Sequence, residues 1–369
     1  MAWPPPAGAE DSRVGAGDSR AADEDSRVGA GDSGAADEDS RVGVGDSGAV
    51  DENSRVGEKL PVFVLTGPTG AGKSGWAERL AETAPVEIVS VDSALVYRGL
   101  DIGSAKPDRE LRRRLPHHLI DICEPTDNYS AGRFVADASA AIAAIHGRDR
   151  APLLVGGTML YLRALMHGLA ELPAASPEVR REIDERGSRE GWSSLHAELA
   201  RLDPLAAARI NCADPQRIQR ALEVCYVTGR PISELQRDTV SPLKGYQVHA
   251  WALAPNRAVL HQRLEARFHS MLTAGFLDEV RELHARGDLN AGHSSMRAVG
   301  YRQLWAHLAG EYDLAEATRR GIIATRQLAK RQLTWMRSER SLEWLDPDIS
   351  TLQASWNRDL SQKLRELGL

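Results

Sequence analysis

The sequence predicts an α/β protein: a parallel sheet at the core, an all-helical insertion domain, and a disordered N-terminal repeat tail. Three observations carry this. Apolar runs of strand type recur with helical patterns between them, as in a sheet whose parallel strands are joined by helices. One run ends in a glycine-rich turn that leads into a helix. Residues 1–57 hold few large apolar side chains and, from Glu10, repeat every fourteen positions.

The repeat is Glu10-Asp11-Ser12-Arg13-Val14-Gly15, recurring from Glu24, from Glu38 and, as Glu-Asn-Ser-Arg-Val-Gly, from Glu52. One to three Val per unit bury too little to offset the entropy of ordering the chain, so neither a packed domain nor a solenoid is expected. The tail holds 13 acidic and 5 basic residues, a net −8, against −6 for all 369 residues; residues 58–369 therefore carry +2. A mildly basic body permits a polyanionic partner without demanding one. The three cysteines, Cys123, Cys212 and Cys225, form no C-x-x-C pair, so neither a disulfide framework nor a structural zinc is indicated. No run reaches the ~18 apolar residues of a membrane span. A cytoplasmic protein with no membrane partner is expected.

The first strand, Pro61 to Thr66, runs into Gly67-Pro68-Thr69-Gly70-Ala71-Gly72-Lys73-Ser74. This turn fits G-x-x-x-x-G-K-[ST] at every fixed position, and the helix expected over Gly75 to Thr83 supplies the context the motif requires. The core is thus a P-loop NTPase-like sheet. Gly67 and Gly72 permit backbone conformations that turn successive N–H groups onto one anion. The helix dipole, the mobile charge of Lys73 and the Ser74 hydroxyl, a ligand for Mg²⁺, complete a diphosphate site. The loop alone leaves open a kinase using ATP, a nucleotide-switched RNA-binding regulator, and an enzyme that expels diphosphate.

Further strands are expected at Val86 to Ser93, which contains the carboxylate of Asp92, at Ala151 to Val155, which leads into Gly156-Gly157-Thr158, and at Gln247 to Leu253. Ligands of parallel sheets bind beyond the strand C-termini, which aligns the phosphate loop, Asp92 and Thr158 along one edge. Ser130 caps a sheet-covering helix through Phe134, Ala138, Ile142 and Ile145. The core is expected over 58–175 and 247–345, interrupted by short charged helices over 176–246 and followed by a C-terminal extension, 346–369. Within the insertion, Asp214-Pro215 starts a helix and Thr228-Gly229 stops it. Its stripe is Ile218, Ala221, Leu222 and Cys225, with Gln216, Arg217, Gln219 and Arg220 outside it. By themselves these four read as a solvated face. Helices begin near Asn256, Phe276 and Asp313, the last with Glu316 at capping-box spacing. That last helix is basic and amphipathic, with Arg319, Arg320, Arg326, Lys330, Arg331 and Arg337.

From Leu60 to Trp344 the chain resembles the bacterial tRNA dimethylallyltransferases. The resemblance rests on six blocks in order: Gly67 to Ser74, Asp92 to Pro107, Gly156 to Tyr161, Gln216 to Val224, Arg297 to Gln303, and Ala329 to Trp335. Ser104 stands where the family more often has Thr, the repeat tail has no family counterpart, and the zinc finger of eukaryotic relatives is absent. The resemblance implies prenylation of N6 of the adenosine 3′ to the anticodon, with dimethylallyl diphosphate placing its diphosphate in the loop beside Lys73, Ser74 and Mg²⁺. It implies Asp92 as the base for the N6 proton, where residues alone leave a metal or water ligand equally open. It implies Thr158 near the substrate and the flipped adenine. It further implies tRNA contacts from Asp92, Ser93, Ala94, Leu95, Thr158, Arg180, Gln216, Arg217, Ile218, Gln219, Arg220, Arg297, Ala298, Val299, Gly300, Tyr301 and Arg302, with the anticodon stem-loop as partner and a monomeric enzyme. Arg263 and Arg267, four apart on one helix, add charge near the diphosphate or form surface ion pairs.

Overall fold

The computed structural model describes residues 59–237 and 239–369. The repeat tail, read above as disordered, lies outside the described residues. Four long strands form the sheet: β1 (Pro61–Thr66), β2 (Val86–Val91), β4 (Ala151–Gly156) and β5 (Gln247–Leu253). Two short strands that the sequence did not announce close its edges, β3 (His117–His118) and β6 (Glu343–Leu345). Two or three residues are too few for a period-two pattern to stand out. The order is β3-β2-β4-β1-β5-β6 and every pairing is parallel. Thr66 and Val91 both pair with Gly156, and Thr66 also pairs with Ala252. The strand ends are therefore level, and the loops after them leave from one edge.

Alternation along each strand divides the core between two faces. Val62, Val64, Val89, Val91 and Leu154 point one way, to α3 (Ala131–His146), which Ser130 caps through the Arg133 N–H, and to α4 (Met159–His167). The same cluster reaches α11 (Phe276–Ala285), α12 (Tyr301–Leu308) and α13 (Leu314–Arg337). Phe63, Leu65, Ile88 and Leu153 point the other way, to α1 (Lys73–Thr83) and to α14 (Leu352–Glu366). α14 occupies the C-terminal extension, for which no helix was expected. Its Trp356 ring lies 5.5 Å from that of Trp76 and 5.6 Å from that of Trp251. α10 (Arg257–Thr273) begins at the Asn256 cap and α11 at Phe276, as the sequence indicates. Asp313 caps α13 through the Glu316 N–H. The Glu316 carboxylate pairs with Arg319 and Arg320 instead of returning to the cap.

Residues 176–246 contain helices and no strand among the described residues: α5 (Pro177–Glu190), α6 (Trp192–Leu202), α7 (Pro204–Arg209), α8 (Pro215–Thr228) and α9 (Ile232–Leu235). They enclose an apolar cluster of their own, including Ile183, Leu195, Leu199, Ile218 and Leu222. Asp214 caps α8 through the Arg217 N–H, and Gly229 ends it at φ +68°.

Candidate active site

Three loops meet at the C-terminal edge of the sheet. The first, after β1, closes through the Ala71 N–H donating to the Pro68 carbonyl at 3.2 Å. Gly70 and Gly72 lie at φ +79° and +89°, and a Cβ at Gly70 would also come within 2.7 Å of Leu264. Both conformations disfavour any side chain. α1 begins at Lys73, two residues before the start the sequence indicates, so the loop N–H groups and the helix N-terminus face one space. Lys73 Nζ folds back over its own loop and donates to the Gly67 and Pro68 carbonyls at 3.0 Å each. Burial lowers the pKa of this ammonium to about 8; the Asp92 carboxylate opposes the shift and the Arg267 guanidinium adds to it. Ser74 is exposed on the first turn of α1.

The second loop follows β2. Asp92 Oδ1 accepts from the Ala94 N–H at 2.8 Å and the Leu95 N–H at 3.3 Å, which fixes the carboxylate in a local turn. The third follows β4. The Thr158 N–H donates to the Val91 carbonyl at 3.1 Å. Its Oγ1 accepts from the Ser93 N–H at 3.0 Å and donates to Ser93 Oγ at 3.3 Å, tying the second and third loops together.

Above the loops lies a cavity of about 450 Å³, lined among others by Thr69, Asp92, Thr158, Arg267, Arg297 and Gln332. α10, α11 and α13 give it an apolar wall with Leu264, Phe268, Phe276 and Trp335. Arg267 faces this space, and burial lowers its pKa against the pull of Asp92. Arg263, paired with it in the sequence reading, is instead held by Asp348 at 2.8 Å. Arg267, Arg297 and Arg331 thus line the cavity against the one carboxylate of Asp92, a balance that suits a polyanionic ligand. Ala298, Val299 and Tyr301 also line the cavity. The buried Tyr301 hydroxyl donates to Glu279 at 2.6 Å, and Glu279 accepts the N–H groups of Asp101, Ile102 and Gly103. Gly300 is buried at φ +94°, and Arg302 is exposed on the first turn of α12.

The helical-segment residues named from the sequence do not line this cavity. Arg180 and Arg220 converge on Glu223, whose side chain is fully buried, at 2.9 Å and 2.6 Å. The sequence reading missed this internal ion cluster. Gln219 donates to Asp184 at 2.6 Å, Arg217 pairs at the surface with Asp214 at 3.3 Å, and Gln216 is exposed. Ile218 is fully buried inside the segment, so its side chain is committed to packing. On α13, Arg319 and Arg320 pair with Glu316 and Arg326 with Glu265, whereas Arg331 faces the cavity. Glu279 and Gln332 were not singled out. Gln332 had a signal: it stands three residues after Ala329 and four before Met336, a polar side chain on a buried helical stripe. Among the described residues, no cluster of three or more His, Cys, Asp or Glu side chains is placed to hold a metal. A cation here would rest on Ser74 and on phosphate oxygens of the ligand, the hard donors that Mg²⁺ prefers.

A phosphate loop, half-buried cations and a fixed carboxylate facing an apolar wall define a P-loop α/β core of transferase type. The IPP transferase family model matches residues 95–339. The tRNA dimethylallyltransferase of Methylococcus capsulatus is 56% identical over 287 residues, covering 78% of this chain and 92% of that protein. That of Nitrosococcus oceani is 55% identical over 289 residues, with the same coverages. Among solved structures, the tRNA isopentenylpyrophosphate transferase of Bacillus halodurans superposes with a TM-score of 0.61 at 34% identity, over 84% of this chain and 98% of that one. A eukaryotic dimethylallyltransferase solved acting on tRNA gives 0.68 at 26% identity, over 81% and 77%. The chain belongs to the IPP transferase family.

Proposed function

We propose that this protein is a tRNA dimethylallyltransferase, moving a dimethylallyl group from dimethylallyl diphosphate to N6 of the adenosine 3′ of the anticodon and releasing diphosphate. The observation that carries the reading is the single cavity shared by the phosphate loop, Asp92, Thr158 and an apolar wall. A prenyl diphosphate has an anionic end and an apolar end, and this cavity offers a surface to each.

The diphosphate takes the loop N–H groups from Gly67 to Ser74, and Lys73 exchanges its two carbonyl partners for phosphate oxygens. Arg267 adds the second positive charge. Ser74, with the phosphates, would hold Mg²⁺, which when bound would supply positive charge to the leaving group. The five-carbon chain lies against Leu264, Phe268 and Phe276. The target base leaves its stack, at a few kcal/mol that are smallest in a loop such as the anticodon loop. Its N6 lone pair is delocalised into the ring, so attack benefits from a base. N6 forms a bond to C1 as the C1–O bond breaks with its pair on the diphosphate, and the N6 proton passes to Asp92. Thr158, bonded to Ser93, keeps that loop in place beside the base.

The tRNA is held by the loop from Asp92 to Leu95 and by Arg297 to Arg302. The helical segment, 176–246, acts as the anticodon-loop binding domain beside the core of 58–175 and 247–345. Gln216, Arg217 and Gln219 offer exposed polar atoms there, while Arg180 and Arg220 contribute the edges that Glu223 leaves free. The enzyme works as a monomer in the cytoplasm: one chain supplies every wall of the cavity, and among the described residues no helix is long and apolar enough to cross a membrane.

The test is incubation of labelled dimethylallyl diphosphate with unmodified tRNA, with Mg²⁺ or with chelator. Label in tRNA that depends on the metal is expected. ATP consumption on a small acceptor, with no label in tRNA, would establish a kinase instead.

A further inference from the structure

Gln332 reaches from α13 to two of the three loops at once. Its Oε1 accepts the Thr69 N–H of the phosphate loop at 2.8 Å, and its Nε2 donates to the Gly157 carbonyl at 2.8 Å. Gly157 is shaped to allow this: a Cβ there would lie 2.5 Å from Gln332 Nε2 and 3.0 Å from the Gly67 carbonyl. Its φ is not positive, so close approach is the reason for glycine. The next residue is Thr158, whose Oγ1 holds the Ser93 N–H beside Asp92. Hydrogen bonds linked by adjacent residues, Gly157 to Thr158 and Ser93 to Asp92, thus run from the loop that would hold the leaving group to the loop that would hold the base. Only a primary amide presents an acceptor and a donor side by side at its tip, as these two partners require.

We infer that Gln332 is a positioning residue that sets the spacing between the diphosphate loop and the Asp92–Thr158 loops, coupling departure of diphosphate to attack by N6. The inference rests on the transferase reading above. In-line attack needs the reacting atoms about 3–3.5 Å apart, and a 1 Å displacement costs roughly 100-fold in rate. With the spacing lost, water competes for the donor. The C1–O bond breaks with its pair on the diphosphate, the water oxygen bonds to C1, its proton passes to solvent, and dimethylallyl alcohol forms in place of modified tRNA.

The test uses the full chain with Gln332→Met, which keeps length without either hydrogen bond, and Gln332→Glu, which keeps the acceptor for Thr69 but turns a second one toward the Gly157 carbonyl. Transfer kcat, KM for both substrates, alcohol released per transfer, and thermal melting are measured. The expected pattern is a kcat lower by roughly 10- to 100-fold, KM values within about threefold, and a rise of about tenfold in alcohol per transfer. Gly157→Ala, which displaces Gln332, reproduces it. Wild-type rates and product ratio in folded variants would overturn the positioning role, as would losses that follow the unfolded fraction or the affinities alone. If wild-type protein itself transfers no label, the transferase reading falls and takes this inference with it; wild-type transfer with unaltered variants removes the inference alone.

Discussion

Asp92 and Arg267 line one cavity with opposite expected roles, and substitution separates them. Asp92→Asn keeps an oxygen for the Ala94 and Leu95 N–H groups but cannot take a proton. Transfer should fall by about 10²- to 10⁴-fold, with donor and tRNA affinities retained, as read by single-turnover rates beside binding titrations. Arg267 is a half-buried, desolvated cation whose shift Asp92 opposes. Arg267→Met should therefore leave Tm undiminished while donor binding weakens by about 2 kcal/mol, the range of a charged hydrogen bond, seen by calorimetry. At this scale the sequence was informative where a residue sits in a strand-end motif: the phosphate loop, Asp92 and Thr158 are all legible from strand, turn and spacing. Gln332 is marked only as a polar residue on a buried stripe and Glu279 not at all, and the partners of both, Thr69 with Gly157 and the 101–103 backbone, lie far away in the chain.

The helical segment and α14 show what elements contribute. Glu223 is buried with Arg180 and Arg220 around it; burial alone would raise its pKa, and the hydrogen bonds from the two arginines and the Ser176 N–H outweigh that and hold it low. A carboxyl whose folded pKa is depressed stabilises the fold above its unfolded value near 4.3 and loses that contribution as pH falls through the folded one. Unfolding monitored against pH should accordingly show acid destabilisation that Glu223→Ala reduces, other paired carboxylates such as Glu87 and Asp121 supplying the rest, with about 3 kcal/mol lost at neutral pH. Trp356→Ala, which empties the contact of α14 with Trp76 and Trp251, should cost about 3–5 kcal/mol in denaturant melts. Cap residues made α3, α8, α10 and α13 readable, since Ser130, Asp214, Asn256 and Asp313 each accept a hydrogen bond from the first turn. β3 and β6 are too short to carry a period. The stripe of α14 is visible only as Trp356, Leu360 and Leu364 at four-residue spacing, in a stretch read as an extension.

The described residues build a parallel sheet whose level strand ends bring three loops to one edge, roofed by helices from the C-terminal third. The edge follows from topology, because parallel strands send every crossover back across a face and leave the loops after them free for ligands. The roof does not, since nothing in local pattern says that α10 and α13 pack across the phosphate loop. The central claim is that this one cavity joins donor and base through Asp92. Its most direct test is single-turnover transfer of labelled dimethylallyl diphosphate to two tRNAs that differ only in carrying adenosine or guanosine 3′ of the anticodon, with wild-type protein and Asp92→Asn. Label should appear on adenosine alone and vanish in the variant while that variant still binds tRNA. Label on another nucleoside, or transfer indifferent to Asp92, would contradict the account.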